Sequence, residues 1–199
     1  MKKPSAAGGT AMPSGRERLR QLIEKKCLIR GDFTLSSGES SAFYFDCKAA
    51  TLDGECLSLI AKEVLREIDE LPTKPAAIGG LTLGADFIVA AVVLQAFEIG
   101  HATRHGSIVR KEPKKHGTRN KIENQLPRGT RIVVIDDVIT SGSSTFKACE
   151  AFEEAGYDIV GIIGLVDREA GGAVELARKY RHVRTLFVQS DFPCLKSER

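Results

Sequence analysis

The stretch Arg131-Ile132-Val133-Val134-Ile135-Asp136-Asp137-Val138-Ile139-Thr140-Ser141-Gly142-Ser143-Ser144-Thr145 decides how this chain folds. Ile132 to Ile135 are all β-branched, make too short an apolar run for a helix, and fit a strand covered on both faces. The carboxyl end of such a strand is expected at the rim of a parallel sheet, where open α/β sheets bind their ligands. Asp136 and Asp137 would emerge there, and Thr140 to Ser144 would form a small turn opening a helix. Gly142 lets the main chain approach an anion, while the first N–H groups of the helix and the hydroxyls of Thr140, Ser141, Ser143 and Ser144 offer donors. A ligand with a phosphate for the turn, and hydroxyls or a hydrated magnesium ion for the acid pair, suits this arrangement.

Outward from that segment the pattern alternates. A helix is expected over about Gly15 to Lys26, with Leu19, Leu22, Ile23 and Cys27 on one face, and a strand over residues 41–48. Leu57, Ile60, Ala61, Val64, Leu65 and Ile68 recur at helical spacing, with Asp53 available as cap. Further strands are expected at 76–81, 107–110, 131–137, 159–166 and 183–188, with helices at 85–97, 143–155 and 172–180. Alternation of strand and helix from residue 76 onward predicts an α/β fold built on a mainly parallel, doubly wound sheet with flanking helices.

The chain has 199 residues, 42% of them hydrophobic, enough for one good core. One domain over 15–199, preceded by a flexible tail at 1–14, is the expected organisation. Five cysteines without C-x-x-C spacing suggest neither a disulfide framework nor a zinc ribbon, and a reducing cytoplasm suits them. No apolar run reaches membrane-spanning length, so no membrane partner is expected. The net charge of +3 is unevenly spread. Residues 110–121 hold six Lys or Arg and one acid, Glu112, against 23 basic and 25 acidic residues elsewhere. One basic loop argues for a compact polyanion and against a broad nucleic-acid surface.

The strand, acid pair and turn of residues 131–145 resemble the signature of the type I phosphoribosyltransferases, which bind 5-phosphoribosyl 1-pyrophosphate (PRPP) at such a motif. Four more segments resemble the orotate-specific members. They are Phe33-Thr34-Leu35-Ser36-Ser37-Gly38 with Ser41 to Asp46, the glycine-rich Ile78 to Asp86, the basic Arg110 to Gly117, and Asp167-Arg168-Glu169. In order, these resemble the pyrimidine-contact segment, the pyrophosphate loop, the mobile catalytic loop and the orotate-carboxylate site. Two positions depart from the pattern: Ser36 and Leu83 stand where many orotate enzymes carry Lys. Asp46-Cys47-Lys48-Ala49-Ala50-Thr51 approaches the Asp-x-Lys-x-x-Asp motif of orotidylate decarboxylases but fails at its last position, so decarboxylation is not expected.

The resemblance implies the family fold with a small N-terminal hood segment, and conversion of orotate and PRPP into orotidine 5′-monophosphate and pyrophosphate, a step of de novo pyrimidine biosynthesis. It implies PRPP contacts from Arg110, Lys111, Lys114, His116, Asp136, Asp137 and the run Val138, Ile139, Thr140, Ser141, Gly142, Ser143 and Ser144. Lys114, His116, Asp136 and Asp137 would be catalytic. Orotate would meet Ser36, Tyr44, Phe45, Thr140 and Arg168. Mg2+ would be held mainly through substrate and water, near Asp136 and Asp137. A homodimer sharing the 110–121 loop across its interface is implied as well. Two alternatives remain at this stage, a phosphoribosyltransferase for another base and a PRPP-sensing regulator. The aromatic N-terminal segment with Arg168 speaks against the first, and the lack of a basic surface outside the loop speaks against the second.

Overall fold

The computed structural model describes residues 14–34, 40–112 and 121–193. In chain order the elements are α1 (Gly15–Cys27), β1 (Leu28–Thr34), β2 (Ser40–Phe45), α2 (Lys48–Thr51), α3 (Gly54–Asp69), β3 (Ala77–Leu81), α4 (Asp86–Glu98), β4 (His105–Val109), β5 (Ile122–Glu123), β6 (Arg131–Ile139), α5 (Ser143–Glu154), β7 (Asp158–Asp167), α6 (Gly172–Lys179) and β8 (Val183–Val188), followed by a 3-10 turn at Gln189–Asp191. Six strands form one sheet in the order β5-β4-β3-β6-β7-β8, parallel except where β5 pairs antiparallel with β4. β1 and β2 form a separate antiparallel pair. The α/β architecture expected from the sequence is therefore present.

Two apolar layers cover the sheet. Helices α1, α3 and α4 bury Leu19, Ile23, Ile60, Val64, Ile88 and Val92 against Val133, Ile135 and Ile163. On the opposite face, α5 and α6 bury Ala148, Phe152 and Leu176 against Ile132, Val134 and Ile162. Alternate β6 side chains thus enter opposite layers, as a pleated strand requires. α3 is held at its start by Asp53, whose Oδ1 accepts the Cys56 N–H at 3.0 Å.

Strand β3 neighbours β4 on one side and β6 on the other. From β3 the chain passes through α4 in the first layer, and from β6 through α5 in the second. The ends of β3 and β6 therefore flank a topological switch point, where an open α/β sheet leaves a crevice.

The structure departs from the sequence expectation at several places, among them the added edge strand β5. β6 runs on to Ile139 because β7 keeps pairing with it, Val138 to Val166 and Ile139 to Asp167, so the two acids lie inside the strand rather than at its end. The strand expected at 41–48 stops at Phe45: the Asp46 carboxylate accepts the Lys48 N–H at 3.2 Å, a local turn that diverts the backbone into α2. β1 carries no alternating pattern, and it is defined by its pairing with β2 across the sequence, Leu28 opposite Phe45.

Candidate active site

A cleft of about 470 Å3 opens at the switch point. Its walls come from the end of β2 and the turn after it (Tyr44, Phe45, Asp46, Cys47, Lys48), the end of β3 (Leu81, Thr82, Leu83, Gly84), β6 (Asp136, Asp137, Val138), the turn into α5 (Thr140, Ser144), and from Lys111 and Arg168.

Asp136 and Asp137 sit on successive positions of β6, so they leave the strand on opposite faces. Asp136, 7% exposed, accepts a 2.5 Å hydrogen bond at Oδ2 from the hydroxyl of Thr145 in the first turn of α5. Asp137 turns to the other side, where its Oδ1 accepts the Val138 N–H at 3.0 Å and the charge of Lys48 acts on it. Burial pushes both carboxyls above the ordinary carboxylate range. For Asp136 the Thr145 hydroxyl opposes that shift and the neighbouring Asp137 charge adds to it. For Asp137 the Val138 N–H and Lys48 oppose it.

The turn after β6 has the form of an anion cradle. Gly142 adopts φ +77°, a conformation that favours glycine, and caps α5 without a side-chain acceptor. The first bond of the helix runs from Phe146 N–H to Gly142 O, so the N–H groups of residues 143–145 precede the intrahelical ladder and point out of the helix start. The turn is braced from behind: Arg168 N–H donates to Ile139 O and Gly172 N–H to Thr140 O. A Cβ on Gly172 would lie 2.3 Å from Thr140 O, so only glycine permits that approach. The loop after β3 is equally close to the acids, since a Cβ on Gly84 would stand 2.5 Å from Asp137 Oδ1. Thr82 Oγ1 donates to Asp86 Oδ1 at 3.1 Å, and the Thr82–Leu83 peptide is cis.

At the other end of the cleft stands Arg168, 8% exposed. Its guanidinium lies 4.7 Å from the centre of the Phe43 ring and 5.5 Å from that of Phe45, and its Nε donates to Gln189 Oε1 at 3.0 Å. Burial lowers its pKa from the ordinary value.

Of the residues singled out from sequence, the cleft brings together Tyr44, Phe45, Lys111, Asp136, Asp137, Val138, Thr140, Ser144 and Arg168. Ile139 is fully buried and serves through its carbonyl. Ser141 and Ser143 are exposed on the turn, and Gly142 is buried in it. Arg110 faces an adjoining hollow with Thr82, Asp86 and Lys111, and is paired with Glu123 at 2.6 Å. Ser36, Lys114 and His116 lie outside the described residues. Sequence reasoning missed Thr145 and Gln189 and did not single out Cys47 or Lys48 as site residues, whereas Asp46 and Thr82 to Gly84 fall in the segments it compared with the pyrimidine-contact segment and the pyrophosphate loop. Thr145 carried a readable signal: a hydroxyl in the first turn of a helix can reach back to the strand end.

A crevice at a sheet switch point, with an acid pair above a glycine-opened helix start, is the arrangement of a sugar-phosphate-binding transferase. The family model described as the phosphoribosyl transferase domain matches residues 56–194, more than half of the chain. An orotate phosphoribosyltransferase of Thermosynechococcus vestitus is 41% identical over 177 residues, covering 88% of this chain and 92% of the relative. One from Rhodopirellula baltica is 39% identical over 175 residues, covering 86% and 90%. The crystal structure of Mycobacterium tuberculosis orotate phosphoribosyltransferase in complex with PRPP superposes with a TM-score of 0.72 at 28% identity, covering 90% of this chain and 99% of that one. The chain belongs to the phosphoribosyltransferase family, in its orotate phosphoribosyltransferase branch.

Proposed function

We propose that the cleft transfers a phosphoribosyl group from PRPP to orotate, giving orotidine 5′-monophosphate and pyrophosphate. The observation that carries this reading is the single cleft in which a buried acid pair, a glycine-opened helix start and an aromatic-flanked arginine meet. Relatives at about 40% identity named for this activity support it.

Displacement at the anomeric carbon builds positive charge on the ribose and negative charge on the departing diphosphate. Asp136 and Asp137 accept the ribose hydroxyls and lie beside the developing cation. Thr140 to Ser144 and the first N–H groups of α5 hold the 5′-phosphate, so binding energy remote from the breaking bond fixes the geometry. Lys111 faces the leaving diphosphate, and the resemblance assigns Arg110, Lys114 and His116 to the same group. Arg168 pairs with the orotate carboxylate, while Tyr44 and Phe45 flank the base. Ser36 belongs to the base contact by the resemblance.

The residues fit a magnesium ion held chiefly by substrate oxygens and water. Among the described residues no group of three or more carboxylate, histidine or cysteine side chains is placed to hold a metal ion, and Asp136 and Asp137 are already engaged by Thr145 and by a backbone N–H. Bound there, the ion would supply charge neutralisation at the diphosphate.

We assign the working form to a homodimer, in keeping with the resemblance and with the exposed apolar Leu94, Phe97 and Ile99 at the end of α4, which a second copy could cover. Light scattering tests this. A cytoplasmic location suits cysteines without disulfide spacing, and no helix among the described residues is long and apolar enough to cross a membrane.

The deciding experiment follows loss of orotate absorbance, dependent on PRPP and magnesium, alongside uracil, hypoxanthine and adenine. Orotate-specific turnover is expected. Turnover of another base without orotate would overturn the assignment.

A further inference from the structure

A buried guanidinium offers a substrate carboxylate a directed fork only if its own rotation is stopped. The Phe43 and Phe45 rings attract the Arg168 cation, but a ring face imposes no hydrogen-bond direction. One fixed direction comes from Gln189, whose Oε1 accepts from Nε at 3.0 Å. Gln189 reaches the guanidinium from outside the residues that line the cleft.

The acceptor is itself firmly mounted. Gln189 opens the 3-10 turn after β8, and β8 pairs with β7 up to Asp167 opposite Val188, immediately before Arg168 and Gln189. Glu169, next to Arg168, accepts Ser190 N–H at 2.7 Å and Ser190 Oγ at 3.1 Å. Asp191 Oδ2 accepts Val188 N–H at 2.9 Å. Phe192, fully buried, packs on Phe45 at 5.2 Å and Phe187 at 6.0 Å, tying the far end of the turn to the ring that flanks Arg168. The chemical type of residue 189 matters as well. A carboxylate there would form an ion pair with Arg168, offsetting the charge that a ligand carboxylate must meet. A neutral amide orients the guanidinium and leaves its charge for the ligand.

We propose that Gln189 is a positioning residue that sets base selectivity: by fixing the Arg168 guanidinium it makes the site prefer a pyrimidine bearing a carboxylate over one without it. This rests on the reading of Arg168 as the carboxylate partner.

The test compares dissociation constants of orotidine 5′-monophosphate and uridine 5′-monophosphate, which differ by that carboxylate, together with kcat and KM for orotate and PRPP. In Gln189→Leu the preference for orotidine 5′-monophosphate is expected to fall roughly tenfold or more, the scale of one lost hydrogen bond to a charged group. KM for orotate should rise in step, with uridine 5′-monophosphate affinity and KM for PRPP unchanged. Gln189→Glu keeps the shape and the acceptor, so a merely structural role predicts wild-type selectivity; the proposal predicts that selectivity falls here too. Equal weakening of both nucleotides in Gln189→Leu, or wild-type selectivity in Gln189→Glu, would overturn it. Arg168→Ala separates the two layers. If it leaves the preference intact, the reading of Arg168 fails and the proposal with it. If it abolishes the preference while Gln189→Leu does not, only the positioning role fails.

Discussion

Replacing Thr145 by Val removes one hydroxyl, keeps the side-chain volume, and strips Asp136 of its 2.5 Å donor in a site where the acid is 7% exposed. A hydrogen bond to a charged group at a buried position is worth about 1.5–3 kcal/mol. At roughly 1.4 kcal/mol per unit, its loss should raise the Asp136 pKa by about one to two units. Burial already lifts that carboxyl and Thr145 pulls it back down, so the substitution adds to the existing shift. In the proposed mechanism it is the ionised form that accepts ribose hydroxyls and faces the developing cation, hence kcat/KM should fall as pH falls through this value. The acidic limb of the pH profile should therefore move upward by about one to two units in Thr145→Val, with a smaller change on the plateau. Because Asp136 and Asp137 interact, the limb belongs to the pair.

Stability has a definite sign too. A carboxyl whose folded pKa is raised favours the fold below its unfolded pKa, about 3.9, and that advantage is lost as pH rises through the folded value. Because burial puts the folded Asp136 value at about 7, Thr145→Val should be less stable than the parent by up to about 1.5–3 kcal/mol at alkaline pH, about 9, with the gap narrowing as pH falls toward about 5. Pre-steady-state and steady-state profiles with melting curves at both pH values check this. An unmoved acidic limb with a pH-independent stability loss would show that the Thr145 hydroxyl is only packing.

Three further outcomes follow from the site. Gly84→Ala puts a Cβ 2.5 Å from Asp137 Oδ1, so Asp137 must shift; kcat/KM for PRPP should drop about 10- to 100-fold with little change in Tm, read by steady-state kinetics and a thermal melt. Lys114→Ala, in the segment outside the described residues, should lower turnover by orders of magnitude while the circular dichroism spectrum stays native, and near-normal turnover would remove Lys114 from the chemistry. Chelation of magnesium should abolish turnover without changing the Tm of the substrate-free protein, since among the described residues no protein ligand set would lose a structural ion.

Much of the architecture could be read locally. The helical spacing of Ile60, Ala61, Val64, Leu65 and Ile68 matches the buried face of α3, and Asp53 caps it as expected. β8 occupies the residues its apolar pattern indicated. Arg168 was legible as a candidate only through a resemblance, because a single arginine between acids carries no pattern of its own. β1 and β5 left no periodic trace, and each exists as a strand because a neighbour pairs with it. The expected strand through Lys48 failed because the Asp46 side chain offered its backbone a competing local bond.

The sequence by itself determined what short-range chemistry can write: an apolar β-branched run, two acids, a glycine at the start of a helix, and the strand-helix alternation that makes a parallel sheet. Only the tertiary structure decided which way those groups look. Pleating sends Asp136 to Thr145 and Asp137 toward Lys48, the switch point opens a cleft between β3 and β6, and β7, β8 and β2 converge to set Arg168 against Phe43, Phe45 and Gln189. Such contacts join residues far apart along the chain, so their energies act only after the sheet has formed, and no local spacing records them.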